Sequence, residues 1–203
     1  MDRGTDREER LEGRESARPR AEIHSIGAPV FQMQIESLQK MLGDEAYERG
    51  LARLSAADAE RVRSTPSLGW VPFDLVEVLV GAMADEAGEP REVFQLDMVR
   101  ATTAMALTGI WRMLARFTGR KALLERAGTY WRKTWSHGDF EWSSERDGVM
   151  VWRVINLVDA SDYMLRGVAF SIRALLEHTG KQVLEVTWTR TRSGAEYRIR
   201  WEA

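Results

Sequence analysis

The sequence predicts an α+β fold, in which an N-terminal helical bundle packs on a C-terminal antiparallel sheet of four strands arranged as hairpin, helix, hairpin. Two changes in the hydrophobic pattern predict it. Up to residue 136, apolar residues recur every three or four positions, which is typical of helices. From residue 137 the period changes to two, which is typical of strands, and one amphipathic segment interrupts the alternation.

That segment, Asp162 to His178, is predicted to be the helix around which the sheet is organised. Ser161 or Asp162 can cap its start, and Gly180 can end it in a left-handed conformation. A helix with one apolar face has to bury that face, so we expect it to cover the sheet. The apolar face consists of Leu165, Val168, Ala169, Ile172, Leu175 and Leu176.

Composition limits the function classes. The 203 residues are 44% hydrophobic and 30% charged, which is ordinary for a soluble globular protein. Cysteine is absent, which excludes disulfides, cysteine nucleophiles and thiolate metal sites. No apolar run approaches the roughly 18 residues that a membrane helix needs. The charged N-terminus has no apolar signal core, so we expect a cytoplasmic location.

Charge patterning predicts a domain boundary. Residues 1–25 are expected to be a disordered charged tail, because residues 1–22 carry six Arg and seven acids with almost nothing apolar. Residues 26–203 are expected to form a single α+β domain, with a helical part (26–136) and a ββαββ part (137–203). Residues 98–203 carry seventeen bases against eleven acids. Either this basic half packs against the acidic helical half, which we favour, or it meets an anionic partner.

The helical part is predicted to hold four or five helices. Gly43 and Gly88 break the periodicity, Ser55 and Asp58 form a capping box, and Pro72 suits a first helical turn. The predicted ranges are Val30 to Leu42, Ser55 to Arg63, Pro72 to Gly88, Pro90 or Arg91 to Phe117, and Arg120 to Trp135.

Two hairpins are predicted in the C-terminal part. Asp147-Gly148 is a strong two-residue turn signal between strands Gly138 to Trp142 and Val149 to Val154. The second of these strands is apolar on both faces, which predicts a central or doubly covered position.

The last hairpin is predicted from Lys181 to Glu202, with its turn at Ser193-Gly194. This turn places Trp188 opposite Ile199 and Val186 opposite Trp201. One face then carries Leu184, Val186, Trp188, Tyr197, Ile199 and Trp201.

The order of elements resembles the fold shared by the haem-nitric-oxide (H-NOX) domains, the 4-vinyl-reductase-type ligand domains and the TRAPP vesicle-tethering subunits. Residues 35–201 also resemble a paralogous protein family abundant in myxobacteria. The wider fold binds small apolar ligands or other proteins, so the first resemblance implies a binding module and not a catalyst. The residues that carry the second are Trp70-Val-Pro-Phe73, Asp162-Tyr-Met-Leu-Arg-Gly167, His178-Thr-Gly180 and Tyr197-Arg-Ile-Arg-Trp201.

The H-NOX resemblance raises the question of haem, which would need a proximal His on a helix facing a pocket. His24, His137 and His178 are the candidates, and each lies in or beside the tail or at the end of a predicted element. The Tyr-x-Ser-x-Arg run that H-NOX domains use for the haem propionates does not occur. We therefore expect no cofactor.

Catalysis has little support in the sequence. Ser136, His137 and Asp139 are the right residue types for a nucleophile and its base, but chain neighbours are expected to point in different directions. No spacing indicates a metal site. We expect the protein not to be an enzyme.

Two sets of residues are candidates for binding. Soft methionines and large aromatics would line a pocket for a small apolar ligand between the long helix and the sheet, although methionine more often fills cores. This pocket set is Met98, Met105, Ile110, Met113, Trp131 and Trp152. A second set, Thr187, Thr189, Arg198 and Arg200, shares the polar face of the last hairpin and would bind a protein.

Nucleic acid is the less favoured partner of this surface, because the arginines and the aromatics fall on opposite faces. The first functional hypothesis is a non-enzymatic regulatory or adaptor domain that acts through a protein partner or a homodimer. The alternative hypothesis is a sensor domain for the small apolar ligand.

Overall fold

A computed structural model describes residues 24–107, 128–129, 131–146, 148–178 and 180–202. Within these ranges the N-terminal part is helical, and the C-terminal part is a four-stranded antiparallel sheet with one helix inserted between its hairpins. The predicted α+β architecture is confirmed. None of the helices in these ranges is long and apolar enough to cross a membrane.

Local interactions explain where two of the helices before the sheet begin or end. Ser55 Oγ accepts the backbone N–H of Asp58 at 3.1 Å, which confirms the capping box. Gly88 ends its helix with a left-handed φ of 69°. The bounds are α1 (Ala28–Leu42), α2 (Asp44–Ala52), α3 (Ala56–Arg63), α4 (Phe73–Ala87) and α5 (Arg91–Leu107). Helix α2 has no counterpart in the sequence prediction, because its nine residues carry too few apolar positions for a periodic signal.

A small sheet of two strands was not predicted. Strand β1 (Ser25–Gly27) pairs antiparallel with β2 (Trp70–Pro72). Pro72, predicted inside the first turn of a helix, instead ends β2 and precedes α4. Three-residue strands are too short to show a period of two, which explains why the sequence indicated neither. The chain is already paired at Ser25, the last residue of the predicted tail.

The first predicted hairpin is confirmed. Strands β3 (Asp139–Arg146) and β4 (Val149–Ile155) pair antiparallel, and Arg146 lies opposite Val149, as a two-residue turn requires. The strand order is β3-β4-β6-β5, so β4 is central. Four consecutive residues of β4, from Val149 to Trp152, are buried, as its apolar sequence predicts.

The second hairpin forms between β5 (Val183–Thr191) and β6 (Gly194–Trp201), but its predicted register is wrong by two residues. Trp188 lies opposite Tyr197 and not opposite Ile199. Gly194 belongs to the strand, because a Cβ at this position would lie 2.1 Å from the carbonyl oxygen of Val154. The close approach to β4 therefore needs a glycine there, and the turn falls one residue earlier than predicted.

The predicted faces survive this change, since a shift by two residues keeps every side chain on its side of the sheet. Leu184 is the exception, with 51% of its surface exposed. The register shifts between Val183 and Glu185, so Val183 is buried in its place. Leu184 was therefore wrongly assigned to the apolar face.

Helix α6 (Asp162–His178) has the predicted bounds and lies between the sheet and α5. On the sheet side, Tyr197 Oη donates a hydrogen bond to the carbonyl oxygen of Leu165 at 3.1 Å. On the other side, Gln95 Nε2 donates to the carbonyl oxygen of Tyr163 at 3.0 Å. A Cβ on Gly167 would lie 3.0 Å from Gln95 Nε2, so the missing side chain lets the two helices approach. The predicted apolar face is buried except for Leu175, which is half-buried.

Two predicted helices lie partly outside the described residues. Helix α5 is described only to Leu107, so the predicted stretch to Phe117 falls beyond it. Of the predicted helix from Arg120 to Trp135, residues 128–129 and 131–134 are described and helical. Trp135 makes an isolated bridge to Ile26, which joins this segment to β1.

Replacement of Trp201 by Ala is expected to lower the free energy of unfolding by about 3–5 kcal/mol, because its buried indole leaves a cavity under α6. Trp188→Ala should cost less, since Trp188 is half-buried. Leu184→Ala is the control and should change stability by less than about 0.5 kcal/mol. Urea unfolding monitored by far-UV circular dichroism measures all three. An effect of Leu184→Ala equal to that of Trp201→Ala would contradict the register described here.

Candidate ligand-binding site

A row of aromatic rings runs from the first turn of α6 to the sheet, and we call it the aromatic row. Its consecutive ring-centroid distances are 6.0, 5.3, 5.4, 6.2 and 4.8 Å, all within the range of favourable aromatic pairs. Its members come from α6, α4, the helical segment before β3, and strands β3 and β4. In order they are Tyr163, Phe73, Trp135, Trp131, Phe140 and Trp152.

The row ends on the sheet face that packs on α6, which we call the inner face. Trp152 lies opposite Tyr197 across β4 and β6, and Tyr197 bonds to α6, so Trp152 points to the same side. Phe140 lies opposite Val154, two residues further along β4, and shares that side. Its ring meets Trp152 edge-on, at an interplanar angle of 90°.

Trp131 is held in place by its indole nitrogen. Nε1 donates to the carbonyl oxygens of His137 at 3.2 Å and Gly138 at 3.0 Å. Gly138 has a left-handed φ of 86° and turns the chain into β3. A Cβ there would lie 3.2 Å from Trp131 Nε1, so the glycine also gives the indole room. The buried indole therefore lies flat against Phe140 with its polar atom satisfied.

The structure places the predicted pocket residues in two groups. Trp131 and Trp152 belong to the aromatic row, where Phe140 lies between them. Met98 and Met105 lie on α5, and both sulfurs contact the polar pair formed by Ser37 and Thr102. Met105 Sδ accepts from Ser37 Oγ at 3.1 Å, and Met98 Sδ lies 3.5 Å from Thr102 Oγ1. Ile110 and Met113 lie outside the described residues.

The sequence interpretation missed Phe140 as a site residue, although it lies between the two predicted tryptophans. A signal was present: Phe140 and Trp142 are two residues apart in a predicted strand, so both had to share one face. Phe73 and Trp135 were predicted only as residues of two separate helices. No local pattern could show that they stack on each other, because they lie 62 positions apart in the sequence.

Two polar atoms are buried at the α6 end of the row without a hydrogen-bond partner. The first is Tyr163 Oη. Burial raises the pKa of Tyr163, and the nearby Glu77 carboxylate raises it further. Gln95 is 2% exposed, and its Oε1 also has no partner. Buried polar atoms normally find a hydrogen-bond partner. These two atoms are therefore available to a molecule that enters this region.

The predicted interaction surface lies on the opposite, outer face of the sheet. Thr187, Thr189, Arg198 and Arg200 are all exposed there, and Thr187 lies opposite Arg198. Arg200 pairs with Glu185 at 3.3 Å, and Arg153 with Glu196 at 2.7 Å. Acids and bases alternate on this face, so it does not present a single sign of charge to a polyanion.

The three candidate histidines lie in two places. His24 precedes β1, and its Nε2 lies 2.6 Å from the carbonyl oxygen of Val158. Its ring centroid is 5.7 Å from that of His137, in the turn before β3. His178 is the last residue of α6 and is exposed.

Ser136 and His137 point toward each other, contrary to the expectation for chain neighbours. Ser136 Oγ lies 2.6 Å from His137 Nδ1, because the two residues occupy a bend and not a strand. The same Oγ accepts the backbone N–H of Ser25 at 2.9 Å. Asp139 accepts a hydrogen bond from Asn156 Nδ2 at 2.8 Å. The fold therefore does not assemble these three residues as a triad, and the Ser–His contact ties β1 to the start of the sheet.

Two further features bear on ligand binding. Within the described ranges, no group of three or more His, Asp or Glu side chains could hold a metal ion. A groove of about 280 Å³ opens between α1, α2 and α3, away from the sheet. Its rim carries the Arg63–Glu48 ion pair, at 3.1 Å, and burial raises the pKa of Tyr47 in its wall to about 12.

Comparison with known proteins identifies the fold. No protein-family model and no curated protein sequence matches the chain. Among solved structures, an Fe(II) unliganded H-NOX protein from K. algicida matches with a TM-score of 0.62 and 10% identity, covering 87% of this chain and 97% of the other.

Two other structures give the same result. An oxygen-binding H-NOX domain related to soluble guanylate cyclases matches with a TM-score of 0.61 and 9% identity, over 86% of this chain and 94% of its own. A structure that concerns modulation of haem redox potential through porphyrin distortion matches with a TM-score of 0.62 and 13% identity. The match covers 86% of this chain and 99% of the other. The chain is therefore similar in fold to H-NOX domains along nearly their whole length.

Replacement of Ser136 by Ala is expected to lower the free energy of unfolding by about 1–3 kcal/mol, because the backbone N–H of Ser25 loses its acceptor in a half-buried place. Ser171→Ala is the matched control, since the Ser171 hydroxyl only bonds back to Gly167 within α6 and is exposed. Chemical denaturation of both variants measures the difference. Equal stability of the two variants would show that the Ser136 contact does not hold β1 in place.

Proposed function

We propose that this protein is a sensor domain that binds a small apolar ligand at the aromatic row, beside the inner face of the sheet, because α6 itself packs between the described part of α5 and the sheet. The observation that supports it most is the likeness in fold to H-NOX domains, one of which is an oxygen-binding domain, over 86% of this chain. The sequence alone favoured an adaptor, and the comparisons move the balance to the sensor.

The chemistry of the aromatic row supports the same proposal. Binding sites for small molecules are mostly apolar and aromatic, with a few polar groups that orient the ligand. Phe140 and Trp135 are only half-buried, so parts of the row are accessible. Gln95 Oε1 and Tyr163 Oη add unpaired polar atoms near its end on α6. A ligand with an apolar body and a single polar group fits these features.

Within this proposal, Met98 remains a predicted pocket residue, and it is buried in the core. Met105 contacts Ser37 on α1, so it lies at the edge of the region. Ile110 and Met113 remain predicted pocket residues.

The adaptor function has less support, and one observation keeps it as a second candidate. Leu68 and Trp70 are 79% and 48% exposed in the segment that enters β2, and neighbouring exposed apolar side chains often mark protein contacts. The other expectations stay predictions: a protein partner or homodimer through Thr187, Thr189, Arg198 and Arg200, the absence of enzymatic activity, a cytoplasmic location and kinship with the myxobacterial family.

Titration with the neutral apolar dye 1-aminoanthracene is expected to give saturable quenching of tryptophan emission, because Trp131 and Trp152 lie at the proposed site. Phe140→Leu should weaken binding about 2- to 10-fold, which corresponds to the loss of one aromatic contact of about 0.5–1.5 kcal/mol.

Leu184→Ala on the sheet's exposed edge serves as the control and should leave the affinity unchanged. Far-UV circular dichroism verifies that both variants are folded. Non-saturable quenching, or equal affinity in the wild type and Phe140→Leu, would refute the sensor proposal at this site.

A further inference from the structure

The residues able to ligate a haem iron are few in this chain and can all be counted. Proteins hold haem iron through a His, a Cys thiolate, a Met–His pair or a Tyr. The sequence has no Cys, three His and four Tyr. All three histidines lie in the described residues, so their positions can be compared with the buried faces of α5 and α6.

None of the histidines belongs to the buried face of α5 or α6. His24 and His137 lie beside each other where β1 meets the turn before β3. His24 Nε2 lies 2.6 Å from Val158 O and His137 Nδ1 lies 2.6 Å from Ser136 Oγ, while His24 Nδ1 is buried without a hydrogen-bond partner. The two rings therefore belong to the contact that ties the N-terminal strand to the sheet.

His178 is equally unsuitable as a ligand. It is the last residue of α6, its side chain is exposed, and it can interact with the negative end of the helix dipole. The buried faces of α5 and α6 carry mainly apolar residues, with Gln95 and Thr102 as the buried polar residues of α5. A histidine–iron bond beside these faces would require His24 or His137 to leave its present contact, or His178 to turn inward from the end of α6.

The described tyrosines do not replace a histidine. A phenol must lose its proton to bind iron, and burial raises the pKa of Tyr163 and of Tyr197, whose Oη also donates to Leu165 O. Tyr47 lies in the groove between α1, α2 and α3, and its pKa is raised to about 12. Tyr130 lies outside the described residues and is therefore included in the test below.

We infer that this chain uses an H-NOX-like fold without an iron–histidine bond, and that the ligand of the proposed sensor site is a metal-free organic molecule held by apolar and aromatic contacts. The inference rests on the proposed function for the location of the site. Its content differs from that of the proposed function, because the sensor site could hold either a haem or a metal-free ligand, and the contacts of the three histidines favour the metal-free ligand.

A pair of probes that differ only in iron tests the inference. Hemin and metal-free protoporphyrin IX are titrated separately into the full-length protein, with tryptophan quenching and the porphyrin absorption band as readouts. We expect the two dissociation constants to agree within about threefold, because without an axial ligand iron adds no bond. The hemin spectrum should be the same for the wild type and for His24→Ala, His137→Ala, His178→Ala and Tyr130→Phe. Absence of binding by both porphyrins would equally support the first part of the inference, that the chain forms no iron–histidine bond.

Hemin binding at least about 100-fold tighter than protoporphyrin IX, lost in one of the four variants, would overturn the inference and identify the ligand. This outcome is separate from the failure of the proposed function. The sensor proposal fails if 1-aminoanthracene does not saturate the Phe140 site, whatever the porphyrins do. Because His24→Ala and His137→Ala alter the β1 contact, His24→Gln and His137→Gln are measured beside them, and circular dichroism verifies folding.

Discussion

Burial of the inner face of the sheet under α6 is the interaction on which the rest of the structure depends. The face carries Tyr197, Ile199 and Trp201 from β6, all of them buried, and a two-hairpin sheet with this face in water would not be stable. The helix covers it with its apolar side, and Tyr197 Oη bonds to the helix backbone at Leu165. Helix α6 therefore packs against two layers at once, the sheet on one side and α5 on the other.

The second layer is α5, and its distance from α6 is set by Gly167. The missing side chain allows Gln95 to reach the backbone of Tyr163, so the two helices are joined by a buried hydrogen bond. At the other end, Arg100 pairs with Glu177 at 3.3 Å. The sheet, α6 and α5 thus pack together as one unit, and the aromatic row extends from this unit toward the start of β3. Ligand binding is expected where this unit meets accessible aromatic rings.

The sequence predicted the parts of the fold that repeat a pattern over many residues. The bounds of α6 were correct because its seventeen residues have both a period and end signals. The predicted position of the turn, at Ser193-Gly194, was wrong because glycine is typical of turns, whereas Gly194 is needed for the close approach of β6 to β4. That contact joins residues about 40 positions apart, and no local pattern contains it. The same reason explains the absence of β1 and β2 from the prediction.

The candidate site was predicted less completely than the fold. Trp131 and Trp152 were named because tryptophan is large and apolar, but the ring that connects them, Phe140, was not. Met98 and Met105 were grouped with the tryptophans because methionine side chains are soft and apolar, which does not show what a helix face packs against. Their sulfurs contact the Ser37–Thr102 pair between α1 and α5. The contact between Ser136 and His137 depended on a bend that the alternating pattern does not reveal.

Native mass spectrometry of the full-length protein purified from its own cells tests the central claim most directly. The account predicts a stoichiometric small organic molecule that leaves on unfolding, carries no iron and gives no Soret absorption. An iron porphyrin in the bound fraction, retained through the axial ligand of His24, His137 or His178, would contradict it. A bare homo- or hetero-oligomer with no small molecule would instead favour the adaptor function and contradict the sensor.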